Sequence, residues 1–288
     1  MSTMKLCRFE IARDSGVRLG LIASDDSVMD LTSVGIQRMT DLLERADLLE
    51  ELRRLSSSSP QHSLDRVRLI TPVEYQEVWA AGVTYLRSKE ARMVESDFSA
   101  SAYDRVYEAV RPEIFFKSMP QKVVSPGESI GIRKDAKWNV PEPELALVLN
   151  SAGTIAGFTI GNDMSSRDIE GENLLYLPQA KIYKRSCAIG PWIVVGPTEH
   201  DARQWTIHLE IRRGGRCVFV GEIRIDQIKR RFTELAECLF RSQEFPNGAV
   251  LLTGAGIVPE DTFTLEANDV VRITISGIGT LENSVVVV

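Results

Sequence analysis

The chain has 288 residues, 43% of them hydrophobic, and carries 40 acidic against 34 basic side chains for a formal net charge of −6. That length holds a core in one large domain or in a small domain beside a larger one, while the acidic balance and the lack of any Lys/Arg-rich run argue against a nucleic-acid surface. No apolar run approaches membrane-spanning length, no secretory leader pattern is seen, and Cys7, Cys187, Cys217 and Cys238 lack disulfide or metal-ligand spacing, so a reduced, cytoplasmic protein is expected.

Met4 to Phe9, Val17 to Ile22 and Val28 to Leu31 read as short strands between polar turns. Met39 to Leu55 has helical periodicity, with Leu42, Leu43, Leu48, Leu49 and Leu52 on one stripe that reads as core. Ser56-Ser57-Ser58-Ser59-Pro60 reads as a linker, so residues 1–70 form a small α/β domain and 71–288 a larger one. A strand is expected at Val78 to Val83. Residues 85–112 turn helical and charged, either as a lid over a site or as a surface helical hairpin. Arg111 to Lys117 is the next strand, with Glu113 and Lys117 bracketing an Ile-Phe-Phe core, and Val123 to Ile132 adds short strands. Met164 to Asn173 reads as a short helix capped by Asp163 or Ser165. Ile189 to Val195 is a strand, Trp205 to Val220 a hairpin turning at Gly214-Gly215, and Gln227 to Phe240 an amphipathic helix. Leu251 to Gly256 is a strand running into a glycine-rich turn with no helix pattern after it, which rejects a dinucleotide or P-loop site. Val270 to Ile275 and Leu281 to Val288 end a strand-rich half.

The most informative stretch is Pro141 to Asp168, PEPELALVLNSAGTIAGFTIGNDMSSRD. Glu142 and Glu144 share one face of a strand by period-2 geometry. Asn150-Ser151-Ala152-Gly153 can reverse the chain into a hairpin, which returns Asp163 to the Glu pair. Three carboxylates in a dry site need a cation, and a hard divalent ion (Mg²⁺, with Mn²⁺ or Ca²⁺ as substitutes) accepts such oxygens. Taken alone, Glu-Pro-Glu reads as a solvated strand end; the hairpin and the returning Asp163 are what bring the metal reading level with it.

The blocks PEPELALVL, GFTIGNDMSSRD, KIYKRSCAIGPWIVV, LLTG and GIGTLEN, in this order and spacing, resemble the fumarylacetoacetate hydrolase family over roughly residues 71–288. YDRVYEAVRPEIFFKSMP, EPELALVL and ENLLYLPQAKIY look like its 2-keto-3-deoxy-D-arabinonate dehydratase branch, a likeness that extends over almost the whole chain. The resemblance implies an α+β fold: a mixed β-rich C-terminal domain behind a small N-terminal one. It implies metal ligands at Glu142, Glu144 and Asp163, an active-site lysine at Lys181, and a catalytic glutamate at Glu113. It places Thr253 near a substrate carboxylate; Thr84, Tyr85 and Gln179 are expected beside it as further substrate contacts. It also implies a homodimer or homotetramer.

The chain departs from the family's hydrolases in one respect. Their water-activating His falls on Ser88 here, and His62, His200 and His208 lie elsewhere and read as structural or exposed. Without that base, hydrolytic C–C cleavage loses its usual activator. The expectation is therefore a Mg²⁺-dependent dehydratase of a 2-oxo-3-deoxy sugar acid, giving 2,5-dioxopentanoate from a five-carbon substrate. A metal-dependent hydrolase or decarboxylase of an oxo acid, and a non-catalytic small-molecule binding protein, are the alternatives. From the residues alone, a plain ion pair is the preferred reading of Glu113 and Lys181, and the resemblance is what gives them a catalytic role.

Overall fold

The structure is a computed structural model that describes residues 3–11, 16–24, 26–85 and 105–288. Of the expected lid at 85–112, residues 86–104, Ser88 among them, lie outside the described residues.

The chain opens with β1 (Met4–Glu10), β2 (Arg18–Ser24) and β3 (Ser27–Asp30), an antiparallel meander. The leucine stripe that follows forms two helices instead of one, α1 (Met39–Leu43) and α2 (Leu48–Ser56). The break suits its residues: Glu44 is drawn outward by Ser151, whose N–H and Oγ–H bond its carboxylate at 2.8 and 2.6 Å, and Arg45 pairs with Asp47 at 2.7 Å. Leu42, Leu43, Leu48, Leu52 and Leu55 stay buried across it. The serine run is a helix end and not a loose linker. Ser56, Ser57 and Ser59 donate back to carbonyls of the last turn, and Pro60 accepts from the Asp30 N–H at 2.8 Å.

Next come β4 (Gln61–Ser63), β5 (Arg68–Ile70), β6 (Glu77–Gly82), β7 (Glu113–Ser118), β8 (Ile130–Ile132) and β9 (Asn139–Val140). The expected hairpin is β10 (Pro143–Leu149) and β11 (Ile155–Asp163), followed by the short β12 (Ser165–Ser166) and β13 (Cys187–Val195). The chain ends with β14 (Thr206–Arg213), β15 (Arg216–Arg224), β16 (Ala249–Leu252), β17 (Val270–Ile275) and β18 (Gly279–Val287). Gly214 and Gly215, both at positive φ, make the β14–β15 turn. Among the described residues the main sheet runs β4-β3-β2-β1-β13-β11-β10-β16-β6-β7, with β5 on β1, and a second sheet runs β15-β14-β17-β18-β8. The N-terminal strands thus extend the same sheet that carries the β10–β11 hairpin, through the antiparallel β1–β13 pair.

Strand β10 is buried along its whole length because it lies between two layers. Its Leu145, Leu147 and Leu149 join one core with Ile207, Leu209 and Ile211 of the second sheet. Its Ala146 and Val148 join another with the leucines of α1 and α2. A strand covered on both faces reads as a continuous apolar run, which is why Leu145 to Leu149 shows no alternation. Each fully buried leucine contributes about 1.5–3 kcal/mol. The hairpin that holds the carboxylates is therefore anchored from both sides.

Candidate active site

The site grows from the β10–β11 register. Pro143 faces Asn162 and Glu144 faces Gly161, and the Asp163 N–H donates to the Glu142 carbonyl at 2.9 Å. The turn is fixed by Asn150, whose Oδ1 accepts from Ala152 and Thr154, and by Gly153 at φ 76°. Glu142, Glu144 and Asp163 are 3%, 1% and 1% exposed, and one carboxylate oxygen of each lies within 4.8 Å of the others. The expected convergence is what the structure shows.

Three buried cations surround the trio. Lys181, at the end of α4 (Leu177–Lys181), sends Nζ to Glu142 Oε2 at 2.7 Å, Asp163 Oδ2 at 3.1 Å and Ser165 Oγ at 2.6 Å. Arg167, at the start of α3 (Arg167–Glu172), pairs with Glu142 Oε1 at 2.7 Å. Lys117 of β7 pairs with Asp163 Oδ1 and donates to the carbonyls of Met164, at 3.0 Å, and Lys181. Glu144 accepts the Gly254 N–H at 2.5 Å. Burial, then the charges of Asp163 and Glu142, push its carboxyl well above the usual range, against Lys181 and the Gly254 N–H.

Sequence reasoning missed Lys117 as a member of this cluster, and it missed Arg167 and Ser165. A signal for Lys117 existed: it shares a strand face with Glu113 and Phe115 at period two. Arg167 carried none beyond its place inside the helix expected over Met164 to Asn173; that helix begins at Arg167, three residues past the expected start, with Ser166 at its N-cap and no side-chain cap bond.

Phe115 lines the carboxylate cavity together with Gly82, Val83, Arg167 and Lys181. The cavity holds about 10 Å³, the room of roughly one water-sized sphere. Hard, buried oxygen donors around a space of that size fit a single small divalent cation. Val83 in its wall has φ 52°, a conformation that costs a β-branched residue about 1–3 kcal/mol and is retained where a site requires it. Glu113 lies over Gly82, its register partner, where any Cβ would overlap its Oε2. On its other side Glu113 lines a pocket of about 320 Å³ with Arg111, Glu170, Leu174 and Leu177.

The remaining expected contacts are placed differently. Thr253 is buried and its hydroxyl donates to the Leu145 carbonyl at 2.9 Å, while Thr84 donates to the Thr253 carbonyl at 2.7 Å. Both brace the turn that delivers the Gly254 N–H. Tyr85 is buried, its ring close to Gly256; burial and then the Glu144 charge push its phenol upward. Gln179 is exposed on α4 and lines neither cavity, its carbonyl accepting from Arg133 at 3.2 Å. His62 sits 3.2 Å from Asp30, in β4; His200 is exposed and His208 half-buried on β14, and none lines the carboxylate cavity.

Residues 77–286 match the family model described as fumarylacetoacetate hydrolase C-terminal. The chain is 42% identical over 284 residues to a Haloferax volcanii protein named probable 2-keto-3-deoxyxylonate dehydratase, covering 95% of this chain and 97% of the relative. It is 43% identical over 221 residues to a 2-dehydro-3-deoxy-D-arabinonate dehydratase of Saccharolobus solfataricus, covering 76% and 74%. Among solved structures, a 2-keto-3-deoxy-D-arabinonate dehydratase complexed with magnesium and 2,5-dioxopentanoate superposes with a TM-score of 0.81 at 34% identity, over 99% of both chains.

Proposed function

The chain belongs to the fumarylacetoacetate hydrolase family, and from that premise we propose that it removes water from a 2-keto-3-deoxy sugar acid, such as 2-keto-3-deoxy-D-arabinonate, using Mg²⁺ held by Glu142, Glu144 and Asp163. The observation that carries this reading is the trio of buried carboxylates with oxygens within 4.8 Å, in a cavity that no histidine lines and whose wall includes Gly82, the residue over which Glu113 lies. A divalent cation held there would polarise a bound 2-oxo acid and acidify its C3–H.

The chain's own residues then do the following. Glu113 takes the C3 proton and delivers it to the C4 hydroxyl, which departs as water; the resulting C3=C4 alkene tautomerises to 2,5-dioxopentanoate, its C5 carbinol becoming the aldehyde. The substrate's polyol tail lies in the pocket shared by Glu113 and Glu170. Lys181 serves the C2 oxygen as charge develops there. With Glu144 ionised, Lys117, Lys181 and Arg167 would formally balance the three carboxylates, and a divalent cation held there would leave two positive charges. These would match the substrate carboxylate and the C2 oxygen as the C3 proton leaves. Thr253, Thr84 and Tyr85 hold the wall behind Glu144 in this reading, and Gln179 stands at the outer end of α4. A cytoplasmic homodimer or homotetramer belongs to the same reading; all four cysteines are free, as a reducing compartment requires.

Product analysis on a panel of 2-keto-3-deoxyaldonates and acylpyruvates, with Mg²⁺ and with EDTA, tests it. Mg²⁺-dependent water loss from the sugar acids is expected. Cleavage of the acylpyruvates instead would make the enzyme a hydrolase, and no turnover of any oxo acid would make it a binding protein.

A further inference from the structure

The two carboxylates that Lys181 touches divide their oxygens in the same way. Glu142 gives Oε1 to Arg167 and Oε2 to Lys181, at 2.7 Å each. Asp163 gives Oδ1 to Lys117 and Oδ2 to Lys181, the latter at 3.1 Å. One oxygen of each acid is thus held by a cation on a separate element, and the second oxygens of both converge on a single ammonium. That ammonium bridges Glu142 and Asp163 where two ligand atoms of a shared divalent ion would be needed.

We propose that Lys181 is an exchangeable plug of the cation site: its ammonium and the divalent ion compete for Glu142 Oε2 and Asp163 Oδ2, so the ion's arrival frees the lysine for the substrate. The inference rests on the metal-site reading above. Lys117 and Arg167 make the exchange feasible, because neither carboxylate loses its other partner when Lys181 leaves. The freed ammonium has somewhere to go. The Phe115 ring, 5.8 Å from Nζ, borders the same cavity and offers a π face to a cation. The lysine would then be presented to an oxo acid only in a loaded site, which couples metal binding to catalytic readiness. The anchor that holds the plug is Ser165, whose Oγ accepts from Nζ at 2.6 Å.

A plug closed about nine-tenths of the time weakens apparent cation affinity about tenfold. Mg²⁺ titration calorimetry on the whole protein therefore separates the alternatives. Lys181→Met should tighten Mg²⁺ by about tenfold or more while abolishing turnover. Lys117→Met, which removes an ammonium from the non-competing oxygen of Asp163, should tighten it far less or weaken it. Ser165→Ala, which keeps the lysine and loosens it, should tighten Mg²⁺ by roughly two- to fivefold, and it serves if loss of the buried lysine prevents folding. Equal effects of Lys181→Met and Lys117→Met would mean that charge alone matters, and unchanged or weaker binding in Lys181→Met and Ser165→Ala would mean no competition; either overturns the inference. A wild-type protein that binds no Mg²⁺ overturns it together with the metal-site reading, whereas a wild type that binds normally confines the failure to the plug.

Discussion

Asp30 and Glu144 each leave only 1% of their surface exposed, yet their carboxyls are pushed in opposite directions. Burial raises both. At Asp30 it is outweighed by Arg18 at 2.6 Å, the Ser33 hydroxyl and N–H, and His62 at 3.2 Å, so the group lies below the usual range. At Glu144 burial is reinforced by Glu142 and Asp163. The cations near it are engaged on those two neighbours, and Glu144 itself takes the Gly254 N–H. Glu144 lies deeper beneath the surface than Asp30 and shares its donors with two other carboxylates; both differences push it upward. One corner of the main sheet is a satisfied structural knot, the other an acidic site that a divalent cation would complete.

Removing Glu144 should break this contrast most severely. Glu144→Ala is expected to lose both the Mg²⁺ binding heat and all Mg²⁺-dependent turnover, read by calorimetry and product assay; retained metal affinity would take Glu144 out of the ligand set. Glu113→Gln should leave the metal affinity unchanged and lower kcat by about 10²–10⁴, while near-normal turnover would exclude Glu113 as the acid and base. Mg²⁺ at a hundred times its Kd should stabilise the fold by about 2.7 kcal/mol near neutral pH. That gain should shrink in acid: without a cation, a raised Glu144 keeps its proton in the folded state, so stability falls as pH rises above the unfolded carboxyl value of about 4.3. Urea midpoints in Mg²⁺ and in EDTA that differ by a constant amount across pH would contradict this.

The smallest effect is expected at Asp30, with the opposite sign. Its lowered carboxyl contributes stability that is complete above the unfolded value of about 3.9 and is lost as pH falls through the lower folded value. Asp30→Asn should cost about 1–3 kcal/mol at pH 7 and converge with the wild type in acid. A deficit that persists undiminished at low pH would mean the cluster acts through packing and not charge.

The two regions also differ in how far the sequence discloses them. Glu142, Glu144 and Asp163 were legible because one hairpin carries all three: period two sets the face, and Asn150 to Gly153 sets the turn. Local rules suffice when the ligands belong to one supersecondary unit. Lys117, Arg167 and Lys181 come from a strand, the start of one helix and the end of another, and only the assembled fold brings their charges to the same carboxylates. Asp30 was hidden for the same reason, since Arg18 and His62 reach it from β2 and β4. The run Leu145 to Leu149 showed that β10 is covered on both faces but not by what. The boundary expected near residue 70 falls between β5 and β6, and strands on both sides of it enter one sheet, because the β1–β13 pairing spans most of the chain and leaves no local mark. At the break between α1 and α2, Glu44 likewise takes its partner, Ser151, from more than a hundred residues away.

Crystals of the protein soaked in MnCl₂ and measured for anomalous scattering test the central claim most directly. One strong anomalous peak is expected, with oxygens of Glu142, Glu144 and Asp163 all between about 2.0 and 2.6 Å from it. A peak that lies elsewhere, or none at saturating Mn²⁺ with Lys181 still bridging Glu142 and Asp163, would contradict a cation site in this hairpin.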